Sequence, residues 1–412
     1  MSAPSRRRPR PRPADLLGPA RRRLPRYLHD LAELVAIDSG SYSPDGVNAV
    51  ADRVQARLTS LGFAVERIRP PAAAGPPFEA LRTGDVLVAR KAGSLAEADG
   101  GRRILLAAHM DTVFEDGTAA ERPFTLDGTR AHGPGVSDDK GGLLAGLTAL
   151  ELLQEQGVAQ YAELVFLATP DEEIGSPASR TVTEEVARGV HYALGLECAR
   201  ENGDLVLARK GVADFRLTVT GRAAHAGIEP ERGANAALAA AHLVVALQAL
   251  NGRWDGVTVN VGVVRAGHRT NIVCPEAELR LEVRAATAAD ARRVRRAIED
   301  AAACPPVPGT AVTVEQLDDC PPMEATAASH RMLAAAEQAA AALGFTLGAT
   351  ATGGVGDANL IAGTGVPVLD GLGPVGGADH SPQEWLDTAT VPQRVALLAS
   401  LITALGDSGS DA

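Results

Sequence analysis

The chain has 412 residues, which is too long for one compact core and predicts two domains. Its hydrophobic fraction of 45%, charged fraction of 22% and 43 glycines are typical of a folded α/β protein, although aromatic residues make up only 3%. The formal net charge of -11, from 40 basic and 51 acidic residues, argues against a nucleic acid or an anionic membrane as the main partner.

The amino terminus departs from this acidic balance. The stretch RRRPRPRPADLLGPARRR, from Arg6 to Arg23, is basic and proline-interrupted, and no apolar segment follows it as a twin-arginine export signal would require. We predict a basic disordered tail over residues 1–24, with an electrostatic contact of unknown purpose as the alternative. The four cysteines form no C-x-x-C pair and there is no apolar span of 18 residues, which favours a cytoplasmic location without a membrane partner.

The next part of the chain has the pattern of an α/β domain. YLHDLAELVAIDS and VNAVADRVQARLTSLGF are predicted amphipathic helices, the second ending at Gly62. A later helix, KGGLLAGLTALELLQEQG, places Leu143, Leu147 and Leu150 on one face. Short apolar runs predict strands buried on both faces at 85–90, 102–109, 163–170 and 192–197. This order of strand, helix and strand predicts a mostly parallel sheet flanked by helices.

From Asp214 the pattern changes to strict alternation of apolar and polar residues. DFRLTVT and ELRLEVR are typical of strands covered on one face, with one predicted helix between them over 233–250 and another after them over 290–303. We predict a two-layer α+β insert with an open sheet edge. The insert covers residues 210–320 and interrupts a first domain formed by residues 25–209 and 321–412.

Carboxylates and histidines occur where predicted strands end or loops begin. Ligands of open α/β sheets bind beyond the carboxyl ends of the strands, and four of the five segments fall at such ends. Each segment alone is weak evidence, because a lone His-x-Asp is more often a hydrogen-bonded strand end and charged runs are usually solvated loops. The segments are HMD (His109, Asp111), GVSDDKGG (Asp138, Asp139), TPDEEIGS (Asp171, Glu172, Glu173), GLECA (Glu197) and GADHSP (His380).

The combination of these segments indicates a metal site. Two imidazoles with at least three carboxylates and no thiolate suit a pair of divalent ions such as Zn²⁺ that share one bridging carboxylate. His109 and Asp111 lie two residues apart on an extended segment and project to one side. Asp111 is therefore placed to hold the second ring nitrogen of His109 and to fix its tautomer.

In order and context, the five segments resemble the co-catalytic zinc aminopeptidase and carboxypeptidase superfamily. That superfamily includes glutamate carboxypeptidases of the carboxypeptidase G type, aminoacylases and succinyl-diaminopimelate desuccinylase. The resemblance runs from about Tyr27 to the final helix. It implies a zinc-peptidase catalytic domain, with a mostly parallel mixed sheet flanked by helices, interrupted by a two-layer α+β dimerisation or lid domain. A homodimer is therefore expected.

The resemblance also implies two Zn²⁺ ions, with Co²⁺ or Mn²⁺ as alternatives. His109 and Glu197 match the ligands of one ion, and Glu173 and His380 match those of the other. Asp138 matches the carboxylate that bridges both.

Further positions match catalytic residues of the superfamily. Glu172 matches the general base, which takes a proton from water and passes it to the leaving amine. Asp111 matches the partner of the ligand His109. In TGRAAHAG, His225 matches a histidine that reaches the partner subunit's active site as an oxyanion donor.

Substrate contacts follow from the resemblance as well. Asn271 and Arg284 match residues that bind the terminal carboxylate of the substrate, and a bidentate contact is available to Arg284 on the polar face of its strand. Gly353 and Gly354, in TGGVGDAN, would let the backbone approach the substrate closely. One position departs from the pattern, because relatives often have arginine where this chain has Cys320.

The implied activity is metal-dependent hydrolysis of an amide bond in a small molecule or peptide with a free carboxylate. The reaction would release a C-terminal amino acid, with glutamate favoured because RKGVADFRLTVTGRAAHAG is most similar to the glutamate-releasing branch. The alternatives are an N-acyl-amino-acid deacylase or dipeptidase and, more distantly, a non-catalytic metal-binding homologue, which would have lost Glu172. Nucleic-acid binding by the arginine-rich head is a further alternative that the acidic body argues against.

Overall fold

The computed structural model describes residues 11–73 and 80–407, and the elements below lie within these ranges. The helices are α1 (Pro13–Val35), α2 (Pro44–Ser60), α3 (Thr118–Glu121), α4 (Lys140–Glu155), α5 (Arg180–Ala187), α6 (Ala236–Gln248), α7 (Ala288–Ala303), α8 (Ala327–Leu343), α9 (Asp357–Gly363) and α10 (Val391–Leu405). The strands are β1 (Ala64–Ile68), β2 (Val86–Ala92), β3 (Arg103–His109), β4 (Thr125–Asp127), β5 (Arg130–His132), β6 (Glu163–Thr169), β7 (Tyr192–Gly195), β8 (Leu205–Arg209), β9 (Gly211–Thr220), β10 (Thr258–Ala266), β11 (Glu276–Ala285), β12 (Ala311–Cys320), β13 (Ala349–Thr352), β14 (Val368–Leu369), β15 (Gly376–Gly377) and β16 (Trp385–Asp387).

The chain divides into two compact units. The first contains residues up to 207, residues 325–350 and residues from 356 onward; the second contains residues 208–324 and 351–355. The sequence placed the corresponding boundaries at 209/210 and 320/321. Residues 351–355 group with the second unit because Lys210 N donates to Thr352 O (3.1 Å) and Arg284 Nη1 donates to Gly353 O (2.6 Å).

The first unit is built on a six-stranded mixed sheet in the order β1-β2-β6-β3-β7-β14. The pairs β6 with β3, β3 with β7 and β7 with β14 are parallel, whereas β1 and β2 join antiparallel at one edge. All residues of β3 and β6 except the first of each are buried, as expected of strands covered on both faces. The core of this unit includes Leu143, Leu147 and Leu150 of α4. The predicted α/β class with a mostly parallel sheet is confirmed.

The prediction of a disordered tail is wrong for its second half. Helix α1 begins at Pro13, and Leu16 and Ala20, four residues apart, are buried in the core of the first unit. Pro13 fits the first turn of the helix, where its missing N–H would have had no partner. Burial of this apolar stripe stabilises a helix that the dense arginines and prolines conceal in the sequence. Residues 1–10 of the predicted tail lie outside the described residues.

The second unit is an antiparallel sheet in the order β10-β11-β9-β12 with helices α6 and α7 packed against it. The alternating apolar side chains of β9 and β11 are buried with residues of both helices, such as Leu243 and Ile298. Strand β10 is an edge strand. Large apolar side chains remain exposed on α6, at Leu238 and Val245, and on β10, at Val264. This unit has the two-layer α+β architecture expected from the strict alternation in the sequence.

Two general properties bear on the environment of the protein. Within residues 11–73 and 80–407, we find no helix with the length and apolar character needed to cross a membrane. All four cysteines fall in the described ranges and carry free thiols.

Candidate metal centre

Three parallel strands bring the candidate ligands to one edge of the first unit's sheet. Strands β3, β6 and β7 end at His109, Thr169 and Gly195, and their carboxyl ends lie side by side. Asp111 follows β3, the DEE segment follows β6, and Glu197 follows β7. The sheet therefore gathers a histidine and several carboxylates without any long-range pattern in the sequence.

His109 is the centre of one group of possible ligands. Its side chain is buried, and Nε2 lies 2.9 Å from Asp138 Oδ1 and 3.6 Å from Glu197 Oε1. One ligand atom from each of these three residues lies within 4.8 Å of the others. A single cation can be held by this group.

A second group shares Asp138 with the first. His380 Nε2 lies 3.1 Å from Asp138 Oδ2 and 3.1 Å from Glu173 Oε2, and the ligand atoms of these three residues again lie within 4.8 Å of one another. The two oxygens of Asp138 thus face different histidines. This geometry is that of a carboxylate able to bridge two cations.

The electrostatics of both groups fit a cation. Burial lowers the pKa of His109, but hydrogen bonds to Asp111 and Asp138 and the charge of Glu197 outweigh it, so the pKa is raised well above its usual value. Hydrogen bonds to Asp138 and Glu173 raise the pKa of His380 to about 10. Burial raises the pKa of Asp138, yet the two histidines lower it overall. The carboxylates therefore stabilise positive charge in both groups, and a divalent cation held by the neutral imidazoles would supply that charge.

Asp111 connects the first group to the segment after β6. Its Oδ1 lies 3.3 Å from His109 Nδ1, which is also 3.1 Å from the backbone oxygen of Asp111. The backbone N–H groups of Glu172 and Glu173 donate to the same carboxylate, each at 3.2 Å. Ser41 Oγ donates to it as well, at 2.6 Å. One buried carboxylate therefore orients a histidine ligand and fixes the backbone of two glutamates.

Glu172 belongs to neither group of ligands. Burial, followed by the charges of neighbouring carboxylates such as Glu197, raises its pKa well above the usual value, although His109 opposes this. A Cβ on Gly356 would lie 2.7 Å from Glu172 Oε1, so the glycine leaves space for the carboxyl group. A carboxyl group with a raised pKa beside the ligands is suited to take up and return a proton.

Glu384 is a residue of this site that the sequence did not reveal. Its side chain is buried and accepts hydrogen bonds from the backbone N–H groups of Gly135 (2.9 Å), Ser137 (2.8 Å) and Asp138 (3.1 Å). Burial raises its pKa to about 7 despite these three donors. Glu384 thus anchors the loop that carries the shared ligand Asp138. The available signal was a lone glutamate four residues after His380, directly before the apolar strand β16.

Asp357 is a second residue that the sequence did not reveal. It lies at the start of α9, where Oδ2 accepts from Thr169 Oγ1 (2.5 Å) and Oδ1 accepts from Ser176 Oγ (2.6 Å). These two residues flank the segment that carries Glu172 and Glu173. The carboxylate therefore holds both ends of the glutamate segment.

The predicted substrate-binding residues and the predicted oxyanion donor His225 lie in the second unit, in two places. His225 and Asn271 are on neighbouring segments, joined where Ala226 N donates to Asn271 O (3.1 Å). Both side chains are exposed. Gly227 N donates to His225 Nδ1 (3.2 Å), which leaves Nε2 of a neutral ring as a donor.

The second place contains Arg284, Gly353 and Gly354. Arg284 forms a bidentate pair with Glu282, at 2.7 and 3.1 Å, and its Nη1 donates to Gly353 O. Three of the five guanidinium N–H groups are thus engaged. A Cβ on Gly353 would meet no atom within 4 Å, and one on Gly354 would meet only Arg209 at 3.8 Å. Arg284 fixes the glycine loop and keeps two N–H groups for another acceptor.

The fold and the ligand groups together define a metal-dependent hydrolase. The chain belongs to peptidase family M20/M25/M40, whose model matches residues 105–404. The resemblance inferred from the motifs is therefore confirmed.

Individual relatives show the range of this family. The chain is 34% identical over 385 residues to carboxypeptidase G2 from Pseudomonas sp. strain RS-16, covering 93% of this chain and 90% of that protein. It is 32% identical over 263 residues to acetylornithine deacetylase from Myxococcus xanthus, covering 61% of this chain and 64% of that protein. The fold is similar to that of aminopeptidase PepT from Bacillus cereus ATCC 10987, with a TM-score of 0.72, 24% identity, and coverage of 93% and 98%.

Replacing Glu384 tests its role in holding the Asp138 loop. We expect Glu384→Ala to weaken Zn²⁺ binding about 10- to 100-fold, because three buried backbone N–H groups lose their acceptor and the shared ligand is released. Glu384→Gln keeps one acceptor oxygen and should weaken binding less. Competition with a chromophoric chelator measures the affinity. Unchanged Zn²⁺ affinity in both variants would contradict the role of Glu384 in holding the Asp138 loop.

Proposed function

We propose that this protein hydrolyses the amide bond of an N-acyl or peptidyl substrate and releases a C-terminal amino acid, with glutamate preferred. The observation that carries the proposal is the pair of candidate ligand groups that share Asp138. Glu172 lies beside these groups and belongs to neither of them. The preference for glutamate is supported by 34% identity to carboxypeptidase G2 along nearly the full chain. Family membership alone does not specify the substrate.

Two Zn²⁺ ions are proposed for the centre, with Co²⁺ or Mn²⁺ able to replace them. His109 and Glu197 would hold one ion, Glu173 and His380 the other, and Asp138 both. When bound, the ions supply Lewis-acid activation of the scissile carbonyl and of the attacking water. The absence of thiolates from both groups suits any of these metals.

Glu172 is proposed as the proton carrier. Its carboxylate takes a proton from the attacking water and returns it to the nitrogen of the leaving amino acid, which breaks the C–N bond. The buried position and the raised pKa of Glu172 support this role. Asp111 holds the backbone of Glu172 and the ring of His109, and so acts as a positioning residue.

Arg284 and Asn271 are proposed to bind the free carboxylate of the substrate. The two remaining N–H groups of Arg284 provide charge-assisted donors. The carbonyl of Gly353, held by the same guanidinium, keeps the glycine loop close to this donor. Gly353 and Gly354 would then contact the substrate through their backbone.

A homodimer is proposed, with His225 donating from Nε2 to the oxyanion that forms in the partner subunit's active site. The exposed apolar side chains of α6 and of the edge strand β10 support an interface there. A cytoplasmic location is proposed as well, since all four cysteines carry free thiols and a reducing compartment keeps them so.

An N-acyl-amino-acid deacylase or dipeptidase is the second candidate. It is favoured by the 32% identity to acetylornithine deacetylase and would use the same residues for catalysis. A non-catalytic metal-binding homologue is the distant third. This third candidate gives no reason for the space that Gly356 leaves for the Glu172 carboxyl group.

Release of free amino acid distinguishes these candidates. The substrates are N-acyl-glutamates, dipeptides ending in glutamate, and matched alanine and lysine analogues. We expect turnover that favours glutamate, falls with chelator and returns with Zn²⁺. Turnover that favours another residue would support the deacylase or dipeptidase. If the metal-loaded protein hydrolyses none of these substrates, the non-catalytic homologue is favoured.

Glu172→Gln separates proton transfer from metal binding. The amide cannot accept the proton from water, so we expect kcat to fall about 10²- to 10⁴-fold with unchanged metal content. Metal analysis and steady-state kinetics measure the two effects. Glu121→Gln, on the exposed surface of α3, is the matched control and should behave as wild type. Near-normal kcat in Glu172→Gln would refute the role of this residue.

Val245→Arg tests the proposed dimer. An arginine on the exposed apolar face of α6 should place an unpaired charge in the interface and shift the protein to monomers with lower activity. Ala303→Arg, which adds the same charge at an exposed position of α7, should stay dimeric. Sedimentation velocity gives the oligomeric state. A fully active wild-type monomer would contradict both the dimer and the cross-subunit role of His225.

A further inference from the structure

A cavity of about 210 Å³ lies inside the second unit, between its sheet and the first half of helix α7. The sheet contributes residues from the start of β9 and from the ends of β11 and β12, and the helix contributes one face. The volume is below the range of sites for drug-sized ligands, roughly 300 to 1,000 Å³. The cavity therefore suits a molecule with few heavy atoms.

Small side chains on both sides account for this cavity. Protein interiors are normally packed too closely for a void of this size, so small residues opposite one another are a local exception. The walls are fixed by strand pairing, because Val212 pairs with Cys320 across β9 and β12. The cavity is therefore a property of the sheet and the helix and not of a loop. The small residues that line it are Gly211, Ala213 and Ala285 from the sheet and Ala288 and Ala291 from α7.

Two arginines of α7 line the cavity, and neither has a hydrogen bond or an ion pair with any residue that the structure describes. Arg292 and Arg295 lie three residues apart on one face of the helix. Arg293, between them in the sequence, instead donates to Asp290 (2.8 Å). Like charges at this spacing on a helix repel each other. An anion in the cavity would offset the repulsion between the two guanidinium groups.

The rest of the lining is mainly apolar. Phe215 and Val283 are buried side chains of the sheet that form part of the wall. Asp319 is the one acidic residue among those that line the cavity, so the two guanidinium groups leave a net positive charge. An inorganic phosphate or sulfate would leave the apolar walls without a contact. The lining is instead complementary to a compact apolar group that carries a carboxylate.

This cavity is separate from the proposed contact with the substrate carboxylate. Val283 and Ala285 are buried on the face of β11 that α6 and α7 cover. Arg284 lies between them in the sequence and therefore projects from the opposite face of the strand. The cavity and Arg284 are thus on opposite faces of one sheet, and a ligand cannot contact both.

We propose that this cavity is a second carboxylate site, which binds a small monocarboxylate with a compact apolar group. Arg292 and Arg295 bind the carboxylate, and Phe215 and Val283 contact the apolar group. Binding at this site involves no residue of the candidate metal centre and does not depend on the proposed hydrolysis.

Calorimetric titration of the metal-loaded protein with three small molecules tests the class of ligand. Isovalerate has both the charge and a branched apolar group, acetate has the charge with only a methyl group, and isovaleramide has the branched group without the charge. We expect isovalerate to bind about 10-fold more tightly than either, because acetate loses apolar contacts and the amide loses charge-assisted hydrogen bonds. Acetate or isovaleramide binding as tightly as isovalerate, or no binding of isovalerate, overturns the proposal.

A double variant, Arg292→Gln with Arg295→Gln, tests the two cations. It should weaken isovalerate binding about 10-fold or more, since two charged donors are lost. Arg296→Gln is the matched control, because Arg296 is an exposed residue of the same helix that does not line the cavity. Thermal unfolding within a few degrees of the wild type shows that both variants are folded. Equal isovalerate binding by the double variant and the control, including binding that only Arg284→Gln removes, overturns the cavity assignment.

Cys320 provides a local measure of occupancy, because this residue lines the cavity and carries a free thiol. Isovalerate should slow the alkylation of Cys320 by iodoacetamide, followed over time by peptide mass spectrometry. Cys304, which is exposed at the end of α7 and does not line the cavity, is the internal control and should react at an unchanged rate. Equal labelling of Cys320 with and without isovalerate overturns the location of the site. None of these measurements requires turnover, so the proposed hydrolysis is judged separately.

Discussion

Burial of several carboxylates at one edge of a sheet is the constraint on which the first unit depends. Asp111, Asp171, Glu384 and Asp357 are each less than a tenth exposed and accept hydrogen bonds from the loops that carry the candidate ligands. Buried carboxylates repel one another and lose hydration, which is costly unless each finds a partner. The loops around the metal centre supply those partners, and this requirement accounts for much of their conformation.

The partners differ in kind according to the role of the carboxylate. Glu384 and Asp171 accept backbone N–H groups, and Asp357 accepts two hydroxyl groups, so these residues hold loops in place. Asp138 and Glu173 instead face histidine nitrogens. A carboxylate that accepts hydrogen bonds from neutral donors is already satisfied by the protein. A carboxylate that faces a histidine nitrogen can instead bind a cation together with that histidine. The distinction separates residues that hold the loops of the site from the candidate metal ligands.

Much of this arrangement could be predicted from the sequence, for physical reasons. Side chains that follow neighbouring parallel strands must meet at one sheet edge, which is why His109 and Glu197 could be placed together. The roles of Glu384 and Asp357 could not be predicted, because an anchor from a distant segment leaves no periodic signal. The start of α1 was concealed by arginines and prolines that outnumber Leu16 and Ala20. The pair of Glu282 with Arg284, two residues apart on one strand face, follows from the alternation of side chains along a strand.

The anchor of the Asp138 loop comes from a residue 246 positions later in the chain. His380, the partner of Glu173, also comes from this last part of the sequence. During synthesis, four of the five candidate ligands leave the ribosome long before the anchor and the fifth. The nascent chain thus carries an incomplete set of candidate ligands while the whole second unit is being made. Completion of the site, and any hydrolytic activity that depends on it, therefore waits until the segment that follows the second unit has been made.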